Sequence, residues 1–272
     1  MPYLKTKDGT SLSYTCWGAG KTLLLIHGWA MGSDMWEYQI PHLTAKGLRC
    51  ITYDQRGCGR SDQPGHGYDF DTLADDLATV IEQLDLRDAT LAGFSLGGAV
   101  VARYLARHGA DRVARTVLVG SNTPFLLKGD DNPEGMDRSL VYDPFRAGII
   151  ADRPQYLKAV AGPFFGDHVG VKVSEGIQDW AVGLCLQSSA TGMLELYRAV
   201  NETDFRPDMA AFTVPTLIIH GDSDPFQPLE ITAKRSAAAI KNSRLEVYQK
   251  ASHGLFYTHR DRLNQDLLTF TP

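Results

Sequence analysis

The stretch Leu91-Ala-Gly-Phe-Ser-Leu-Gly-Gly98 leaves the chain few ways to fold around it. Apolar residues from Ala89 read as the end of a strand, and Leu96, Val100 and Tyr104 then recur at helical spacing. Gly93-Phe94-Ser95-Leu96-Gly97, a G-x-S-x-G sequence, therefore falls at a strand-to-helix corner. Glycines on both sides of the serine tolerate backbone angles and close approaches that a Cβ would forbid, so the turn can lift the Ser95 hydroxyl into the open as a nucleophile. The N–H of Leu96 lies in the first helical turn, without an intrahelical acceptor and at the positive end of the dipole, where it suits a developing oxyanion. The motif alone is weak, because glycine–serine linkers produce it by chance. Its weight comes from the strand before it and the helix after it.

Composition sets the outer bounds. With 272 residues, 43% hydrophobic and 22% charged, the chain has the make-up of an ordered globular protein and the length for one large α/β domain with an insertion. A formal net charge of −5 offers nucleic acid and anionic membrane surfaces no electrostatic attraction, so neither is an expected partner. No apolar run approaches about 18 residues, and no apolar h-region follows Lys5 and Lys7. The expectation is a cytoplasmic protein without a membrane span. Cys16, Cys50, Cys58 and Cys185 are scattered, without the close pairing of a zinc or redox site, and read as free thiols.

Taken in order, residues 2–17 alternate around Asp8-Gly9 as a β-hairpin. Lys21–Ile26 is a continuous apolar run, the mark of a strand buried on both faces of a parallel sheet. The loop His27-Gly28-Trp29-Ala30-Met31-Gly32 follows at its C-terminal end, where open α/β sheets bind ligands. A short turn near Asp34 and Glu37 leads to a helix from Pro41 to a stop at Gly47, and Arg49–Tyr53 is the next strand. Asp54, Arg56 and Ser61 read as structural turn residues. Asp71–Leu86 is an amphipathic helix with Leu73, Leu77, Val80, Ile81 and Leu84 on its stripe, and Asp75 and Asp76 are assigned to its solvated face. Arg112–Val119 supplies another strand, so the pattern to this point is a parallel sheet with right-handed crossovers.

The alternation then breaks. Residues 121–207 hold no strand-like run, only helical segments rich in aromatic residues and punctuated by Pro133, Pro144, Pro154 and Pro163. An insertion of this size beside a site is most simply a helical cap over it. Residues 1–120 and 208–272 are thus expected to form the core. Val214–Gly221 resumes the sheet and leads into Asp222-Ser-Asp224-Pro225; a helix over Leu229–Lys241, a strand over Leu245–Gln249 and the loop holding His253-Gly254 follow. Arg260–Phe270 closes the chain as a helix with Leu263, Leu267 and Phe270 inward.

Ser95, an aspartate and His253 now lie after strand ends in that chain order. A serine hydroxyl is a poor nucleophile until a histidine takes its proton, and a buried carboxylate must hold that histidine in the right tautomer. Asp222 and Asp224 both satisfy the order. Lys7-Asp-Gly-Thr10, His27-Gly-Trp29, Asp34-Met-Trp-Glu-Tyr-Gln39, Arg56-Gly-x-Gly-Arg-Ser-Asp-Gln-Pro64, Gly93-Phe-Ser-x-Gly-Gly98, Thr203-Asp-Phe-Arg-Pro-Asp-Met209, His220-Gly-Asp-x-Asp224 and His253-Gly254 carry a resemblance over nearly the whole length. The sequence resembles the α/β-hydrolases, and within them the bacterial aryl esterases and the cofactor-free haloperoxidases, or perhydrolases.

That resemblance implies an α/β fold with a mostly parallel eight-stranded sheet, no cofactor and no metal. It places the triad acid at the second aspartate of Gly-Asp-x-Asp, here Asp224, and leaves Asp222 as a turn cap. It also implies that the backbone N–H of Trp29 joins that of Leu96 as an oxyanion donor. His27 and His220 are then hydrogen-bond partners behind the site. Met31, Phe125, Phe164 and Phe226 are expected pocket walls, from their places near strand ends or in the cap. Where perhydrolase relatives typically carry proline after the tryptophan, this chain has Ala30. The expected activity is accordingly hydrolysis of small carboxylic esters, aryl esters and lactones among them. Perhydrolase or γ-lactamase chemistry with the same residues is the alternative, and a ligand sensor built on the same fold is a third reading. A small-molecule ester is the expected partner, and a homo-oligomer is a further expectation because such proteins often assemble.

Overall fold

The computed structural model describes residues 2–271. The chain opens with β1 (Tyr3–Lys5) and β2 (Ser11–Trp17), paired antiparallel across the turn at Asp8-Gly9. Next come β3 (Lys21–Ile26), α1 (Ile40–Ala45), β4 (Leu48–Tyr53), α2 (Phe70–Gln83), β5 (Ala89–Phe94), α3 (Leu96–His108) and β6 (Val113–Val119). Three helices follow without a strand between them: α4 (Arg138–Phe165), α5 (Glu175–Leu186) and α6 (Ala190–Glu202). The chain ends with β7 (Thr216–Gly221), α7 (Ala233–Ala239), β8 (Ser243–Tyr248), α8 (Leu255–Thr258) and α9 (Arg260–Phe270).

The strands form one eight-stranded sheet in the order β1-β2-β4-β3-β5-β6-β7-β8. β2 meets β4 antiparallel, and β3 to β8 run parallel. Helices bury both faces, which is why β3 and β5 are apolar nearly throughout rather than alternating. Leu24 and Ile26 of β3 pack with Leu73, Leu77 and Val80 of α2 and Val100 and Tyr104 of α3. Leu23 and Leu25 point the other way, into a second core with Leu43 of α1 and Leu263 and Leu267 of α9. Aromatic side chains of the α4–α6 insertion, including Phe145 and Phe165, continue that second core. Among the described residues, no helix is long and apolar enough to cross a membrane.

Two local expectations change, and one helix is broken by a kink. Asp76 is not on a solvated face: it is 2% exposed, and Arg56 grips it with Nε at 2.6 Å and Nη2 at 2.7 Å. It stands three residues after Leu73 and four before Val80, on the buried stripe itself. The third Arg56 nitrogen reaches Asp8 at 2.9 Å, so the pair ties α2 to the N-terminal hairpin. The helix expected over Leu229–Lys241 is only Ala233–Ala239, because Pro228 opens a turn in which Thr232 Oγ1 donates to its carbonyl at 2.8 Å. Finally, α4 is two helices joined at a kink, with Asp152 at φ −157 and ψ 87 and its carboxylate accepting the Gln155 N–H at 3.0 Å. Pro154 thus begins the second helix, where its missing N–H costs nothing.

Candidate active site

The C-terminal ends of β3, β5, β6, β7 and β8, neighbours in the sheet, deliver the candidate residues to one rim. Ser95 follows β5 with φ 52 and ψ −120, a strained conformation for a residue with a Cβ. Gly93 and Gly97 permit it: a Cβ on Gly93 would collide with the Gly97 carbonyl, and one on Gly97 with the carbonyls of Ile26 and His27. The helix that starts at Leu96 can therefore pack directly on the strand ends. Leu96 is its first residue, so its N–H has no acceptor within the helix.

His253 Nε2 lies 3.0 Å from Ser95 Oγ, and His253 Nδ1 lies 2.6 Å from Asp224 Oδ2. The other Asp224 oxygen accepts the N–H groups of Phe226 and Gln227, each at 2.9 Å. Burial acts to raise the Asp224 pKa, but the adjacent His253, that hydrogen bond and nearby His220 outweigh it and hold the carboxyl below its ordinary value. An ionised Asp224 fixes the proton of His253 on Nδ1 and leaves Nε2 bare toward the serine. Asp222 is exposed and bonds to Ser223 Oγ at 2.7 Å, away from the histidine.

The imidazole is clamped. Phe94 and Phe164 meet it at ring distances of 4.9 and 5.5 Å, and Phe226 at 5.9 Å. The end of α4 latches the histidine loop, with Gly254 N–H donating to the Phe164 carbonyl at 2.7 Å and Ser252 Oγ to that of Pro163 at 2.7 Å. His27 and His220 both sit behind the rim, buried, and burial pushes each pKa down so that the neutral ring is favoured. His27 Nε2 accepts the Gln55 N–H at 2.9 Å, which leaves Nδ1–H to donate to the Gly28 carbonyl at 2.7 Å. His220 Nε2 bonds the Gln227 carbonyl at 2.6 Å and thereby braces the Asp224 turn.

A cavity of about 300 Å³ opens over Ser95. Trp29, Met31, Leu96, Phe164 and Phe226 line it, Met31, Phe164 and Phe226 being three of the four residues named as walls from the sequence. Phe125 does not: it lies outside the lining, under the Arg206 guanidinium at 5.2 Å, and that expectation is corrected. The reason is that the strand-end loop after β6 turns Asn122, not Phe125, toward the serine. Asn122 Oδ1 is 3.2 Å from Ser95 Oγ, an approach the motif reading missed although Asn122 lies three residues past the end of β6, the neighbour of β5. The helical insertion supplies Phe145, Tyr156, Cys185 and Tyr197 as further walls. Among the described residues, none of the lining side chains is Asp, Glu, Lys or Arg. Desolvation in this apolar setting pushes the Cys185 thiol up to about 12, so it stays protonated and inert as packing.

Trp29 is fixed from above. Its indole Nε1 donates to the Met193 carbonyl of α6 at 2.8 Å, and its ring meets Phe145 and Tyr197 edge-on at 5.0 and 5.8 Å. Ala30, the next residue, has φ 58. Proline is locked near φ −65°, so the loop as it stands has no room for one there.

The fold and this rim define a member of a known class: the chain belongs to the alpha/beta hydrolase fold family, which matches residues 21–260. It is similar to a non-heme haloperoxidase of Rhodococcus erythropolis, 43% identical over 274 residues that span 99% of each chain. Among solved structures it is similar to a bromoperoxidase from Bacillus anthracis, with a TM-score of 0.94, 40% identity and coverage of 99% of this chain and 98% of the other. An esterase from Exiguobacterium antarcticum superposes with a TM-score of 0.94 at 34% identity, covering 99% of this chain and 98% of that one.

Proposed function

We propose that the protein is a serine hydrolase of small uncharged carboxylic esters, working through an acyl-enzyme. The observation that carries this reading is the hydrogen-bonded series from Ser95 through His253 to Asp224, at 3.0 and 2.6 Å, opening into an apolar cavity. Ser95 Oγ attacks the ester carbonyl while His253 Nε2 takes its proton, and Asp224 stabilises the imidazolium that results. The backbone N–H groups of Trp29 and Leu96 receive the oxyanion. His253 then protonates the departing alcohol, and water repeats the sequence to release the acid. The absence of charged side chains from the described lining favours neutral acyl groups over anionic ones. The α4–α6 insertion serves as the cap that shapes this selection.

The test is a chain-length series of nitrophenyl esters with wild type and Ser95→Ala. Turnover that peaks at a short or medium acyl chain and vanishes in the variant supports the reading. Turnover unchanged in Ser95→Ala removes it.

The similarity to proteins named haloperoxidases favours a second reading, in which hydrogen peroxide replaces water in the deacylation step and the product is a peracid. It requires the same acyl-enzyme. Peracid formation from acetate esters in the presence of peroxide, followed beside hydrolysis, measures how the acyl group divides between the two acceptors.

A further inference from the structure

Ser95 Oγ has two neighbours and one proton. His253 Nε2 stands 3.0 Å away and the side-chain amide of Asn122 stands 3.2 Å away on the β6 side. With Nδ1 of His253 giving its proton to Asp224, Nε2 is the acceptor for the serine O–H. An amide oxygen facing the same hydroxyl would then set two lone pairs against each other. The two ends of an asparagine side chain are interchangeable by rotation, and the network is satisfied when the amide N–H₂ faces Ser95 Oγ.

We propose that Asn122 is a further catalytic residue, donating a hydrogen bond to Ser95 Oγ and stabilising that oxygen as the leaving group of the deacylation step. This rests on the acyl-enzyme reading above. In deacylation, water attacks the acyl carbon while His253 Nε2 takes its proton, and a tetrahedral adduct forms. The C–Oγ bond then breaks, its electron pair passes to Oγ, and His253 returns the proton there. The acid leaves and the serine hydroxyl is restored. A donor held at Oγ stabilises the charge that gathers on it as the bond breaks. In acylation, electron density instead leaves Oγ, so the same donor gives no such help. The geometry is pre-organised: Asn122 is 3% exposed and lines the cavity, and Thr123 beside it is anchored by its hydroxyl, 2.9 Å from Ser236 Oγ and 3.2 Å from Ser121 Oγ.

The experiment follows acylation and deacylation separately, by stopped-flow release of nitrophenolate from nitrophenyl butyrate and by the mass of the acyl-enzyme. Two variants are used, Asn122→Leu, of similar size without a donor, and Asn122→Asp, of the same shape with acceptors only. Both are expected to lower the deacylation constant about three- to tenfold, the worth of one neutral hydrogen bond, while acylation changes less and acyl-enzyme accumulates. Unchanged deacylation in both variants, with acyl-enzyme forming in the wild type, overturns the role of Asn122 alone. Acylation and deacylation falling equally, with lowered melting temperatures, overturns it in favour of a packing role. No acyl-enzyme in the wild type removes the acyl-enzyme reading and this proposal together.

Discussion

Ser188 Oγ donates to the carbonyl of Ala30 at 2.9 Å and so joins the α5–α6 junction to the loop that carries Trp29. Ala30 is held at φ 58, a left-handed conformation that costs a residue with a side chain about 1–3 kcal/mol. Ser188 is 3% exposed, and Trp29 Nε1 to Met193 is a second tie from the same helices. The loop beside Ser95 therefore takes its shape from the insertion as well as from the sheet. Ser188→Ala is expected to lower kcat about three- to tenfold with little change in KM, because the donor proposed at Trp29 acts on the transition state. Ser188→Thr, which keeps the hydroxyl, should restore most of the loss. Equal falls in kcat and in affinity for a substrate analogue would contradict this role.

The two aspartates of the β7 loop should separate cleanly. Asp224→Asn is expected to lower kcat by about a thousandfold or more, since the amide no longer favours the tautomer with Nε2 bare. Asp222→Asn, at an exposed position whose carboxylate accepts from its neighbour Ser223, should keep the wild-type rate. Steady-state rates of both variants on one nitrophenyl ester decide the matter.

Asp76 and Arg56 are 2% and 1% exposed, so removing one leaves the other charged and buried. Asp76→Ala is expected to destabilise the fold by about 3–5 kcal/mol. Urea unfolding monitored by circular dichroism reads this as a lower midpoint at unchanged slope. A loss below about 1 kcal/mol would mean that water reaches the guanidinium in the folded state.

Stability toward acid should involve Asp8. Partial burial acts to raise its pKa, but hydrogen bonds from Thr6, Arg56 and Thr10 prevail and pull it far below the ordinary range. The folded state therefore favours the ionised carboxylate. Its contribution is complete above the unfolded value of about 3.9 and is lost as pH falls through the lower folded value. Asp8→Asn should melt below wild type at pH 7, and the gap should narrow as pH falls from about 5 to 2. A gap that stays constant over that range would show that the carboxylate charge is irrelevant to the hairpin.

Much of the architecture was legible because its signals are local. The run Lys21–Ile26 has only one sensible environment, a strand covered on both sides, and β3 occupies it. Gly93 and Gly97 around Ser95 mark a turn that a Cβ would block, and the backbone there has the positive φ such a turn demands. Strand ends are positions in sequence, so Ser95, His253 and one of Asp222 and Asp224 could be proposed as neighbours once a parallel sheet was inferred; the resemblance pointed to Asp224, and the side chains of Ser95, His253 and Asp224 lie in hydrogen-bond contact.

What lay outside that reach depends on how distant segments pack. The spacing from Leu73 to Val80 puts Asp76 on the buried stripe of α2, but nothing local names its partner, because Arg56 arrives from another turn twenty residues away. Phe125 and Asn122 are three residues apart in the same loop, and the loop's path alone decided which of them faces the serine. The sequence by itself determined the alternation of buried strands and helices and the elbow at Ser95, since both follow from hydrophobic periodicity and backbone sterics, and it fixed the order of Ser95, the two aspartates and His253 along the chain. Only the tertiary structure decided the cavity walls and the Ser188 tie to Ala30, which exist once the helical insertion has closed over the sheet, and the buried Arg56 pair, which exists once α2 and the N-terminal hairpin have packed on the loop after β4.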